Sequence, residues 1–408
     1  MKRTHKRLSV LAAVVVACAA IATCAGTNSS DAYIRDLRQS LRLRLQPDNV
    51  DAYISRGNAK GELERYEEAI ADYSQALQLQ PDNAYAYDHR GFARLMLGQY
   101  RDAIADYDQA LQLRPDFAAA YYYRGAASLT IGEYEDAIAD LDQTLRFWPD
   151  DVDAYVFRGS AKVCLGQYEE AIADYNQALQ LGPGNADAYA GRANAKIGLG
   201  QYEDAFSDLD KALQLQPDNG DAYVVRGHAM TRLGQYQDAI ADYGQALQLH
   251  ADAASVYVFQ GHAKGHLGQH QEAIADYNQA LQLQPDHASA YLHRGRAKVA
   301  LGQYLEAISD YNQVLRLKPD IAVAYVYRGI AKAHLGQYLE AIADYDLALQ
   351  LKPGNARAYH NRVLARFNLG LSQDALPNYE QALLEQPGFA DDYRDSLTYH
   401  LSRTKSGQ

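Results

Sequence analysis

Cysteine, tryptophan and methionine are scarce in this chain, with three, one and three in 408 residues. Two of the cysteines, Cys18 and Cys24, fall in an N-terminal apolar run, and Cys164 is then alone. One cysteine cannot close a disulfide within the chain, so packing must hold the fold. A basic surplus is missing too. The formal charge is −12, which argues against nucleic acid as a partner, since that needs a basic stripe. Net charge bears on solubility and steering and names no partner. There is no glycine-rich phosphate loop, no metal-ligand cluster of sound spacing and no room for a further domain. No catalytic constellation is present, and no cofactor, metal or small-molecule substrate is expected.

Proline is also sparse, 11 in all, and its placement is regular. Pro47, Pro81, Pro115, Pro149, Pro183, Pro217, Pro285, Pro319, Pro353 and Pro387 share one phase, with Ala251 filling the gap; only Pro377 is out of phase. The spacing is 34 residues, a period that marks stacked repeats. Ten copies run from Val50 to Gly388. Each divides into two helical runs, about 153–165 and 169–181 in the fourth copy, joined by a "GQY" turn. Glycine supplies the turn and proline stops the second helix. Neither helix could bury its apolar stripe alone; stacked copies bury it continuously.

Residues 1–26 differ from the rest. A basic "MKRTHKR" precedes the apolar "LSVLAAVVVACAAIA" and then polar "TNSSD". This reads as an export signal or N-terminal membrane anchor. "VVAC" resembles the bacterial lipobox and makes Cys18 a lipidation candidate; "IATC", ending at Cys24, is a poorer match. "AIA" or "TCA" would suit ordinary signal peptidase, and Leu8–Ala25 is just long enough to span a bilayer uncleaved. The expected location is the cell envelope, on the exported side of a membrane. Residues 27–49 read as a linker and capping helix, and 389–408 as a second cap with a polar tail.

In the fourth copy Tyr155, Gly159, Ala161, Tyr168, Ala171, Tyr175, Ala178 and Pro183 stand at the positions of the tetratricopeptide pattern, which the chain resembles from residue 50 to 388. It departs in having Arg158 where leucine is usual, and tyrosine for tryptophan in all ten copies. The resemblance implies an all-α, right-handed solenoid whose first helices line a concave groove, and a role in protein binding. The family's carboxylate clamp is absent: Asn58 matches, but Ile54, Ala119, His89 and Tyr123 occupy the other slots.

The constant slots read as structure. Alanine recurs in the first helix from Ala59 to Ala365 and in the second from Ala69 to Ala375, letting helix axes approach closely. An arginine precedes the first-helix glycine in nine copies, and nine copies carry a second-helix aspartate. Each arginine is expected to pair with an aspartate of its own or a neighbouring copy, which its forked donors suit.

The variable slots read as function. One, just before the fixed alanine, includes Ser160, Asn194, His228, His262 and Arg296; another, four residues earlier, includes Tyr122, Val156, Val224, Val258 and Leu292. Residues four apart share a stripe, so these ten are the candidate peptide-binding residues. A third slot holds Asp153, Asp187 and Asp221 in succession, an acidic edge. Peptide or helical segments of other proteins fit such a surface. Copy seven is irregular, with Ala251, Gln260 and His270, and its His262 and His266 have the i,i+4 spacing that can bind metal, though no third ligand completes a site. Copy ten is worn, with Val363, Ser372, Pro377 and Asn378. The expected function is a non-catalytic scaffold or adaptor of the bacterial envelope. An accessory subunit delivering substrates to an enzyme, a membrane-anchored cytosolic adaptor and a bare spacer are the alternatives.

Overall fold

The computed structural model describes residues 29–249 and 253–371. These hold twenty α-helices and no strand. Helix α1 (Ser29–Leu45) is followed by the pairs α2 (Val50–Glu62) and α3 (Tyr66–Leu79), α4 (Ala84–Met96) and α5 (Tyr100–Leu113), α6 (Ala118–Ile131) and α7 (Tyr134–Phe147), and α8 (Val152–Leu165) and α9 (Tyr168–Leu181). Then come α10 (Ala186–Gly198) and α11 (Tyr202–Leu215), α12 (Gly220–Arg232) and α13 (Tyr236–Gln248), and α14 (Ala253–His266) and α15 (His270–Leu283). The series ends with α16 (Ala288–Ala300) and α17 (Tyr304–Leu317), α18 (Ala322–His334) and α19 (Tyr338–Leu351), and α20 (Ala356–Asn368). The described residues form two compact units, one comprising those up to Ala229 with Gln248 and Leu249, the other Met230–Leu247 and those from Ala253 to Leu371. Within each unit consecutive helix pairs pack as repeats. The second helix of copy ten, the C-terminal cap, Ala251 and the N-terminal signal segment lie outside the described residues.

Helix starts follow from capping. Asn49, Asn83, Asp151, Asn185 and Asn355 each accept a bond from the N–H three residues on, satisfying a donor the helix leaves open. The second helices begin one residue earlier than the spacing predicts, with the turn tyrosine as their first residue. His270 takes that place in copy seven, past the end of α14, and opens α15. First helices end at a glycine of positive φ, from Gly98 at 72° to Gly370 at 78°, recurring once per copy. The first copy breaks the rule: Glu64 stands there with φ 58°, the one non-glycine of positive φ among the described residues. A side chain in that region is strained.

The core is alanine and tyrosine. Ala59, Ala161, Ala195, Ala229 and Ala331 are completely buried, as are Ala69, Ala171 and Ala341 in the second helices. The first-helix glycine makes room for a tyrosine ring. A Cβ at Gly159 would lie 2.9 Å from the Tyr175 ring, and one at Gly329 would lie 2.5 Å from Tyr345. Copy five swaps both partners, with Ala193 facing the smaller Leu209, and both are fully buried. One extra methyl is matched by one lost ring, as close packing demands.

Candidate functional site: the face of the first helices

The arginines are consumed by structure. Arg56, Arg90, Arg124, Arg158, Arg192, Arg294 and Arg328 each grip the aspartate 16 residues on with two donors, at 2.5–2.7 Å for the shorter contact. The remaining guanidinium nitrogen reaches back to the preceding copy: Arg158 to Asp142 at 2.6 Å, Arg192 to Asn176 at 2.7 Å, Arg328 to Asn312 at 2.7 Å. Each therefore ties three helices of consecutive copies. Arg226 contacts Asp210 at 3.6 Å, and Arg362 pairs with Asp346. All nine guanidinium groups also sit over the tyrosine three residues earlier, 5.2–5.7 Å from its centroid. A second cation, unforeseen from the sequence, takes the other carboxylate oxygen: Lys162 on Asp174 at 2.6 Å, Lys298 on Asp310 at 2.8 Å, and Arg94 on Asp106 at 2.7 Å. Its signal was available, because a lysine or arginine recurs four residues after the first. Copy three has Ser128 in that slot, and burial outweighs Arg124 and pushes the Asp140 carboxyl up. In copy seven Gln260 replaces the arginine, and Lys264 holds Asp276 at 2.7 Å.

The two candidate lanes differ in exposure. Tyr122, Val156, Val224 and Val258 are buried, between 2% and 8% exposed, and Leu292 is half-buried. Four of these five side chains are therefore spent on packing between helices. Asp88 occupies the same slot in copy two, and its Oδ1 is buried with no hydrogen-bond partner. Burial pushes that carboxyl up to about 7. The other lane reaches the surface: Ser160, Asn194, His228 and His262 are half-buried and Arg296 is exposed. Part of this lane serves the core. Ser160 Oγ lies 3.0 Å from Tyr175 Oη, and Asn58 accepts from Tyr73 Oη at 2.8 Å. Where that slot is Ile330, the hydroxyl of Tyr345 lacks a partner.

The first unit carries the acidic edge. Burial raises the Asp153 carboxyl, helped by Asp151 and Asp187; burial also raises Asp187, which accepts from Asn219 Nδ2 at 2.9 Å. In the second unit the rings of His262 and His266 meet edge-on at 4.6 Å, those of His262 and His293 at 5.1 Å, and Tyr236 stacks on His266 at 4.7 Å. Burial, then His266 and Arg296, pushes His262 down to about 4. Burial foremost pushes His293 down to about 3. These rings are neutral near pH 7. Among the described residues no group of three His, Cys, Asp or Glu side chains is placed to hold a metal ion, and no helix is long and apolar enough to cross a membrane. Cys18 and Cys24 lie outside the described residues.

Three family models match the chain. One, "TPR repeat", covers 57–98 and 159–198; a "Tetratricopeptide repeat" model covers 90–152, 190–256 and 292–356; another covers 252–320. No curated protein matches the sequence. Among solved structures, a tetratricopeptide repeat protein from Parabacteroides merdae is 19% identical over 61% of this chain and 98% of its own, with a TM-score of 0.55. The Cut9–Hcn1 hetero-tetramer of the APC/C gives 15% identity over 88% of this chain and 92% of that chain, with a TM-score of 0.54. YrrB, described as having an unusual peptide-binding site, is 23% identical over 45% of this chain and 95% of its own, with a TM-score of 0.41. At these identities the likeness is one of fold. The helix pairs, their 34-residue recurrence and the matched family models agree that the chain belongs to the tetratricopeptide-repeat proteins.

Proposed function

We propose that this protein is a non-catalytic scaffold that binds peptide or helical segments of other proteins on the face of its first helices. The observation that carries this reading is the contrast within one helix face. The alanine, glycine, tyrosine and arginine slots are consumed by packing and ion pairs in nearly every copy. The slot holding Asn194, His228, His262 and Arg296 reaches solvent and changes from copy to copy. Within each unit, a shared frame with one changing surface slot suits graded recognition of a partner segment. Four residues before this slot, Tyr122, Val156 and Val224 in the first unit and Val258 in the second are buried, and Leu292 in the second is half-buried.

Residues 1–26 export the chain in this proposal, and lipidation at Cys18, with Cys24 as the alternative, tethers it to the exported face of a bacterial membrane. The partners are then proteins of the cell envelope. Capture from detergent-solubilised native membranes tests both parts. The intact chain should enrich a few proteins that the N194A/H228A/H262A chain loses. The mass of the mature N-terminus should show a lipid on one cysteine. Equal capture by both baits would move binding off this lane; an intact N-terminal sequence without lipid would leave the chain untethered by this route.

A further inference from the structure

Two arginines on the first helices of the second unit stand outside the ion-pair system. Arg296, on α16, is exposed, and its guanidinium sits 5.1 Å from the centroid of Tyr327 on α18. Arg357, at the start of α20, is also exposed, lies 5.7 Å from the same centroid and donates to Tyr327 Oη at 2.7 Å. Three consecutive copies thus bring two cations to one tyrosine ring. Among the described residues neither guanidinium has a carboxylate within ion-pair distance. The nine arginines of the repeating slot, by contrast, all have one. The cation of Arg296 is felt by its surroundings: it acts on His262, His266 and His293 to disfavour their charged forms.

The sequence slots make the contrast sharper. The position of Arg357 is aspartate in copies four to six, where Asp153, Asp187 and Asp221 form the acidic edge. Contact with an aromatic ring restrains a guanidinium while leaving N–H donors open, and Arg357 spends one donor on Tyr327 Oη and keeps the others. Two such groups, held in place before a ligand arrives, present forked donors to carboxylates at little further entropic cost.

We infer that Arg296, Tyr327 and Arg357 form an anchoring site for an acidic segment of a partner protein, taking carboxylates on the two guanidinium edges. The site rests on the peptide-binding reading above and assigns its polarity at this end: the segment runs acidic where it crosses copies eight to ten. A protein partner is favoured over nucleic acid because the chain as a whole is acidic, with a formal charge of −12.

The test uses the full chain and a fluorescein-labelled twelve-residue peptide of repeating Glu-Leu-Ala-Asp, read by anisotropy, beside the same peptide with Gln and Asn for the acids. R296E/R357E should weaken the acidic peptide at least tenfold. R101E/R146E makes the same change of net charge at two exposed arginines of the first unit and should leave binding within twofold. Helicity by circular dichroism and the urea midpoint check that both variants fold. No preference for the acidic peptide, or equal losses in both variants, overturns the site. Displacement by millimolar inorganic phosphate as effective as by unlabelled peptide overturns the peptide assignment in favour of a simple anion site. Binding that emerges only in D391N/D392N assigns the site to the chain's own C-terminal segment and likewise overturns it. If R296E/R357E retains native partners that N194A/H228A/H262A loses, the anchoring site fails while the peptide-binding reading stands.

Discussion

Replacing Asp88 with valine should stabilise the protein, and by an amount that depends on pH. The slot is isoleucine or valine in five other described copies. Asp88 is 5% exposed, and one of its oxygens has no hydrogen-bond partner. The neighbouring His89 lies 3.8 Å away but is itself held neutral by burial. Its carboxyl rises from the ordinary 3.8 to about 7 because burial disfavours the anion. The folded state then keeps a proton that the unfolded chain has already released. The site costs little below about pH 4; the cost grows as pH rises and levels off above about pH 7, where it reaches about 4 kcal/mol. Asp88→Val removes that cost, so the gain should be roughly 2–4 kcal/mol at pH 8 and about half that or less at pH 5. Urea unfolding followed by circular dichroism at both pH values gives the difference. Repeat arrays can open copy by copy, so hydrogen exchange of the α4 amides, corrected for intrinsic rate, should show the gain locally. A gain equal at both pH values, or a loss at pH 8, would refute the assignment of Asp88 as a buried, unpaired acid.

Gly329→Ala should cost about 1–3 kcal/mol by pressing a methyl into the Tyr345 ring, and Tyr345→Leu in the same chain should recover at least ~1 kcal/mol in a double-mutant cycle, as the natural Ala193 and Leu209 pair implies. Glu64→Gly should raise stability by about 0.5–1 kcal/mol by relieving positive φ, seen as a higher melting temperature; no change would mean that the left-handed turn costs nothing there. Arg158→Ala should cost about 1–3 kcal/mol, because Asp174 keeps only Lys162 while the link to Asp142 is lost. Arg158→Lys should recover less than half of this, since an ammonium cannot span both carboxylates, and full recovery would show that charge alone sufficed.

The repeat and its ion pairs were legible because they obey short-range rules. Proline phase and turn glycine act within a few residues, and the arginine and its aspartate keep a constant separation of 16. The surface lane was half legible. Spacing places Ser160 and Val156 on one stripe, yet Val156 is buried and Ser160 reaches solvent. A stripe four residues wide spans the border between core and surface, and only the neighbouring helices decide which side each residue meets. The two free arginines were harder still. Arg296 was visible as a variable residue, but its meeting with Arg357 over Tyr327 depends on three consecutive first helices packing together. The pairing of histidines 262 and 293 is of the same kind, set by copies seven and eight side by side.

The central claim is that partners are read by the changing slot of the first helices. Its most direct test is site-specific photocrosslinking in native membranes. A benzoyl-phenylalanine at Asn194 or Arg296 should crosslink to a small set of proteins, and one at Gln143 or Gln279, at a second-helix position that is glutamine in eight of the ten copies, should not. The same crosslinks from both sets, or crosslinks only from the second-helix positions, would contradict the claim.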